Sequence, residues 1–294
     1  MAITVNDFAV GRKTFFITPD TSLFPEHFLE EYFSMGYECY FIDNSRFIPL
    51  ETKIETIISV FHDVIIFFNI DYEIPGIAWN FYIKRLQDRY PNILIGVTYA
   101  RKSEKNAKIL LERKYLFDIG IKCGCIQLEY QRRENLEIIQ KLLYANQARG
   151  RRQNIRALCS KSCTFTFKKQ DYYYTGVLKD ISLSHFSVCM EQGALSLTIW
   201  EKVKDVQIVL SGFTFRSDAL LIAQRPTSEG MLFVFAFLSP SGEAHLDDIQ
   251  RGRLVPQLYK MMSENCHLML QKLYEAKQTN GINPKYLGDI SISE

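Results

Sequence analysis

A chain of 294 residues with 47% hydrophobic and 23% charged side chains has the material for real globular cores, which excludes general disorder. At roughly 150 residues per domain, this length points to about two domains. The net charge of +2, from 35 basic and 33 acidic residues, gives no general affinity for a nucleic-acid polymer or a membrane surface, so any anion site must be local. No apolar run approaches the roughly 18 residues that span a bilayer, and residues 64–68 are typical of the longest. No membrane insertion is therefore expected. The N-terminus lacks a basic stretch followed by an apolar block, so a cytoplasmic location is expected. The seven cysteines fit that expectation, being odd in number and without framework spacing.

Strand and helix patterns alternate through the first half. Residues 14–18 read as a short apolar strand, and 24–35 as a helix ended by Gly36. A strand at 37–42 precedes a helix at 50–61, where Ile54, Ile57, Ile58 and Phe61 have helical spacing. Residues 64–70 are almost continuously apolar, as a strand buried on both faces requires. A helix over 77–89 and a strand over 93–98 follow. Ser103 is placed to cap a helix running to about Tyr115, residues 121–128 read as a fifth strand, and Leu136, Ile139 and Leu143 mark a fifth helix. Five βα units predict an α/β domain over residues 1–147, a doubly wound parallel sheet of flavodoxin-like order 2-1-3-4-5.

The pattern changes near residue 148. Residues 148–156 are basic, contain Gly150 and read as a mobile linker. Beyond them only strand signals appear, at 163–167, 172–178, 186–190, 203–210, 213–223 and 231–238, rich in β-branched and aromatic residues. Turn residues separate them at 169–171, 211–212 and 226–230. Six short strands predict a small antiparallel barrel. A closing helix carries Leu246, Ile249, Leu254, Leu258, Met261 and Met262 near one face, with a kink expected at Pro256. The second domain is thus drawn at 148–277, with a polar, frayed tail at 278–294.

The informative constellation lies at the junction. Arg149, Arg151, Arg152 and Arg156 fall within eight residues, and Arg152 and Arg156 form an Arg-x-x-x-Arg pair. About two dozen residues later, at a strand end, comes Asp180-Ile-Ser182-Leu-Ser-His185. Guanidinium groups are planar forks that grip phosphates and match the O6 and N7 acceptors of guanine. A carboxylate such as Asp180 accepts from the guanine N1 and N2 donors, and Ser182 can add a hydroxyl contact. These residue types suit a guanine nucleotide carrying compact negative charge.

The arginine linker, the Asp-x-Ser loop, the six-strand pattern and the closing helix together resemble a PilZ domain, over about residues 148–275. The resemblance implies binding of the second messenger cyclic di-GMP. Arg152 and Arg156 would hold phosphate and guanine, and Asp180 and Ser182 a guanine edge. An arginine directly before the motif, here Arg151, implies two stacked ligand molecules rather than one. His185 stands where the family has glycine, a residue useful at positive φ or beside a close ligand. The expected function is a cyclic di-GMP receptor or adaptor that changes its domain arrangement and its contacts with an unidentified protein partner. Motility, adhesion and envelope control are what the family implies. The alternative is an interaction adaptor whose site no longer binds the nucleotide.

The first domain resembles a response-regulator receiver, less specifically. Asp71 stands at the end of the third strand, where a receiver keeps its phosphoacceptor, and Pro75-Gly76 follow it. Only Asp20 represents the acidic pair, Thr98 the hydroxyl, and Glu129-Tyr130-Gln131 replaces the lysine-proline pair. A degenerate receiver that is not phosphorylated is expected. Cys123-x-Cys125 reads as two core residues on one strand face, and Cys159 and Cys163 lack further ligands at zinc spacing, so no metal site is expected. No catalytic constellation or cofactor motif is present, so no enzyme is expected.

Overall fold

After a short helix, α1 (Val5–Phe8), the chain enters strand β1 (Lys13–Ile17) and then builds four further βα units. A computed structural model describes residues 3–45, 47–61, 63–102, 104–149, 153–191, 193–280 and 289–292. The remaining strands of the first sheet are β2 (Cys39–Ile42), β3 (Val64–Asn69), β4 (Leu94–Ala100) and β5 (Cys125–Leu128). They pair in parallel in the order β2-β1-β3-β4-β5, as the alternating pattern predicts. Every residue of β1 and β3 is buried, because helices cover both faces of the central strands. Those helices are α2 (Phe28–Ser34), α3 (Leu50–Val60), α4 (Trp79–Arg89), α5 (Lys105–Arg113) and α6 (Arg132–Ala145).

Three expectations shift for local reasons. The first long helix begins at Phe28, not Phe24, because Pro25 holds Phe24 extended (φ −120°, ψ 159°). A 3₁₀ turn, Thr21–Leu23, fills the gap, and Asp20 accepts from the Ser22 backbone N–H at 3.0 Å. Helix α5 runs on into a π-helical turn at Lys114–Ile119 and stops at Gly120. Its expected cap, Ser103, lies outside the described residues. The fifth strand starts only at Cys125, because Gly124 is left-handed (φ +99°). Cys123 and Cys125 therefore do not share a strand face, which corrects that reading.

The second sheet closes on itself. Its strands are β6 (Ala157–Leu158), β7 (Thr164–Lys169), β8 (Tyr172–Ile181), β9 (His185–Met190), β10 (Lys202–Leu210), β11 (Phe213–Thr227) and β12 (Gly230–Leu238). The order β8-β7-β10-β11-β12-β9, joined by β8 to β9 pairing, is a six-stranded antiparallel barrel, and β6 adds to the far end of β8. Inside it Phe186 stacks on Phe235 with ring centroids 5.0 Å apart, and Phe165, Phe215 and Phe237 are buried nearby. Strand β11 runs through Pro226 to Thr227, so the turn expected from Pro226 is shorter.

Helix α7 (Asp248–Asn280) follows. Asp247 opens it with a reciprocal capping box: its carboxylate accepts from the Gln250 N–H at 2.7 Å, and its own N–H donates to Gln250 Oε1 at 3.2 Å. The helix continues through Pro256. Leu254, Leu258, Met261 and Met262 are buried, but Ile249 is 78% exposed, since five residues before Leu254 is about 140° off that face.

The chain divides into two compact units. One contains Ala9–Gln153 and residues 273–280, and the other residues 3–8, Asn154–Lys272 and 289–292. The division falls at Gln153, and the short segment with α1 groups with the barrel. Part of the expected polar tail is also structured. Ser291 bridges Thr4, the Ile292 N–H donates to Ile3 at 2.7 Å, and Ile292 is buried.

Candidate ligand-binding site

Asp180 sits on β8 where three strands meet. It pairs with Leu158 of β6 on one side and with Ser187 of β9 on the other. Arg156 immediately precedes β6, so the strand pairing delivers its guanidinium to the same corner. Arg156 Nη1 lies 3.7 Å from Asp180 Oδ2, with the arginine side chain 44% and the aspartate 16% exposed. That distance is an ion pair and not a hydrogen bond. The guanidinium is largely in water, so the pair contributes little to stability and the arginine stays open to a ligand.

The turn after β8 is built on Ser182. This side chain is buried; its hydroxyl donates to the His185 carbonyl at 3.1 Å and accepts from the His185 N–H at 3.1 Å. The Ser182 N–H also donates to the His185 carbonyl, at 2.7 Å. Ser182 thus shapes the loop, and its hydroxyl is already occupied. His185 begins β9 without a positive φ, so the glycine of the family pattern is not needed here for backbone reasons. Its Nδ1 lies 2.7 Å from Ser184 Oγ, and that hydroxyl also accepts from Asn154 Nδ2 at 3.0 Å. Burial, and secondarily the Arg156 charge, hold the His185 imidazole below its usual pKa, so it is neutral near pH 7.

Four of the expected residues, Arg156, Asp180, Ser182 and His185, are therefore gathered in one corner. Arg151 and Arg152 lie outside the described residues. Two further side chains belong to the corner. Asn154, inside the arginine spacer, ties the approach segment to the loop. Ser187, opposite Asp180 and on its face of the sheet, keeps a buried hydroxyl with no hydrogen-bond partner. The amide within the Arg-x-x-x-Arg spacer was a visible signal for the first; no sequence signal marked the second.

The expected linker is held at its described ends. Ala148 is buried and its N–H donates to Leu143 at 2.8 Å, and Ile155 is buried. Arg149 passes over Gly36, where an added Cβ would lie 2.8 Å from Arg149 Nε and 3.0 Å from the Gln153 carbonyl.

In the α/β unit, Asp71 lies in the turn after β3. It accepts from the Ala100 N–H at 2.7 Å and from Lys102 Nζ at 2.6 Å, so a lysine after β4 supplies the counter-charge missing after β5. The Asp20 carboxylate is taken up by the Ser22 cap, and Thr98 is buried with its hydroxyl directed at Phe68, 3.4 Å away. Among the described residues no group of three His, Cys, Asp or Glu side chains is placed to hold a metal, and no helix is long and apolar enough to cross a membrane.

No family model matches the sequence, and no curated protein matches it. Solved structures do. YcgR from Escherichia coli in complex with c-di-GMP is 18% identical, with a TM-score of 0.32 over 40% of this chain and 50% of that one. The PilZ domain of YcgR with c-di-GMP is 19% identical, with a TM-score of 0.32 over 40% of this chain and 98% of that one. The inhibitor of motility MotI from Bacillus subtilis is 15% identical, with a TM-score of 0.31 over 37% of this chain and 50% of that one. The match thus spans about half the length of the longer of these proteins.

Proposed function

We propose that this chain is a cyclic di-GMP receptor of the PilZ type, and not an enzyme. One observation carries the reading. Arg156 and Asp180, 24 residues apart in sequence, converge at a strand end as a loose pair in which the guanidinium is exposed and the carboxylate mostly buried. A guanidinium fork beside a carboxylate offers donors to a phosphate or to guanine O6 and N7, and an acceptor to guanine N1 and N2. By the resemblance to the PilZ pattern, Arg152 would supply a second fork and Arg151 a third, favouring two stacked ligand molecules. Calorimetric titration of the full chain with cyclic di-GMP tests the reading; saturable binding supports it, and no binding removes it.

The finer part of the proposal is that the bound nucleotide fixes the arginine segment, alters the arrangement of the two units and so changes the contact surface for a protein partner. A ligand can shift such an equilibrium only by its differential affinity for the two arrangements. Hydrogen exchange and small-angle scattering, with and without ligand, test it. Protection across residues 148–156 with a changed scattering profile is expected; unchanged profiles with confirmed binding contradict it. A second reading, an adaptor that has lost the nucleotide, draws on His185, whose half-buried ring fills space a glycine would leave open. The same titration decides between them.

A further inference from the structure

The connection between β6 and β7 brings two cysteines together. Leu158 pairs with Asp180 and Thr164 with Val177. Between them, the Cys159 N–H donates to the Lys179 carbonyl at 3.0 Å, and the Leu178 N–H donates to the Cys163 carbonyl at 2.9 Å. Residues 159–163 therefore stand opposite only two residues of β8. Ser160, Lys161 and Ser162 loop out, and the Cys163 N–H closes the loop on the Ser160 carbonyl at 3.0 Å. The loop thus sets the two cysteines at neighbouring positions beside β8, the kind of closeness a disulfide needs.

Both side chains are buried, and the Cys159 thiol lies 3.9 Å from the Ala157 carbonyl, to which it donates. Hydroxyls surround the second sulfur. Ser160 Oγ lies 3.9 Å from Cys163 Sγ and 2.7 Å from Ser162 Oγ, which is 3.4 Å from Ser211 Oγ. Ser211 reaches in from the left-handed turn between β10 and β11 (φ +47°). Donation from Cys159, Ser160 and Ser211 outweighs burial and brings the Cys163 thiol down to about 6, while the donor role and burial push Cys159 up. Elsewhere burial pushes Cys123 up to about 12, and burial together with the Glu112 charge does the same to Cys125.

We propose that Cys159 and Cys163 form a peroxide-sensitive dithiol, with Cys163 the nucleophile and Cys159 the resolving thiol. The Cys163 sulfur attacks one oxygen of hydrogen peroxide and breaks the O–O bond, giving a sulfenic acid; the departing hydroxide takes a proton and leaves as water. Cys159 Sγ then attacks Cys163 Sγ and displaces hydroxide, which carries off the Cys159 proton as a second water. The pair loses two electrons and the peroxide gains them. Nothing in this chemistry depends on nucleotide binding.

Peptide mapping of the full chain after stoichiometric peroxide and thiol blocking tests the proposal. Trypsin cuts at Lys161, so a 159–163 disulfide keeps two peptides joined. That crosslink is expected to dominate, to vanish in Cys163→Ser, and to give way in Cys159→Ser to a sulfenic acid trapped by dimedone. Either variant can disturb packing, so alkylation of the unsubstituted protein is also followed against pH. An ordinary thiol with a pKa of about 8.5 reacts roughly 25-fold faster at pH 9 than at pH 7; Cys163 is expected to change less than about twofold. Absence of the crosslink, its dispersal among other cysteines, or an ordinary pH profile at Cys163 overturns the proposal.

Discussion

Arg156 and Asp180 show how little of the proposed binding energy needs to be present in the fold itself. Their 3.7 Å pair is loose and the arginine exposed, so Arg156→Ala is expected to change unfolding free energy by less than about 0.5 kcal/mol. The same substitution removes charge-assisted hydrogen bonds worth roughly 1.5–3 kcal/mol, so cyclic di-GMP affinity should fall about 10- to 150-fold in a calorimetric titration. Asp180→Ala should lower affinity and narrow the preference for guanine over adenine cyclic dinucleotides; equal binding of both by the unsubstituted chain would show its role misassigned. His185→Gly is expected to keep or tighten binding while costing about 0.5–1 kcal/mol of stability, because β9 gains a flexible residue without needing its φ freedom. The imidazole also has a pH signature. Its folded pKa lies below the unfolded value, so the unfolded chain binds the extra proton first. Stability should decline as pH falls from about 6.5 toward the folded pKa and then level off. Denaturant melts of native and His185→Gln protein across that window would show the slope only in the former.

At the scale of elements, the parallel sheet could be read from the chain because β1 and β3 are buried on both faces and so appear as unbroken apolar runs. Strand and helix ends were harder. Pro25 and Gly124 each moved a boundary, one by restricting the residue before it and one by turning left-handed. The barrel strands were legible from their aromatic and β-branched content, but the register around 159–163 was not, since it depends on β8 lying opposite. For the same reason the motif residues could be named from sequence while Ser187 could not. Gly36 illustrates a constraint only the fold reveals. Its φ of +87° and the passage of Arg149 and Gln153 within 2.8 and 3.0 Å of an added Cβ predict that Gly36→Ala destabilises by more than about 1 kcal/mol. A thermal melt matching the unsubstituted protein would count against that packing.

For the whole molecule, the two units carry different chemistry. In the α/β unit Asp71 is already neutralised by Lys102 and the Ala100 N–H, and Asp20 is occupied as a cap. Incubation with a small phosphodonor and Mg²⁺ is expected to leave Asp71 unmodified by intact mass; an Asp71-dependent phosphoryl adduct would show that this unit is a phosphoswitch after all. The barrel unit holds the corner where an exposed guanidinium meets a carboxylate. The most direct test of the receptor reading is calorimetric titration of cyclic di-GMP into the full chain and into its Arg152→Ala, Arg156→Ala double variant, with barrel folding confirmed by circular dichroism. Saturable binding by the native chain and its near-complete loss in the folded double variant are predicted. Undiminished affinity in that variant, or no binding by the native chain, would contradict the account.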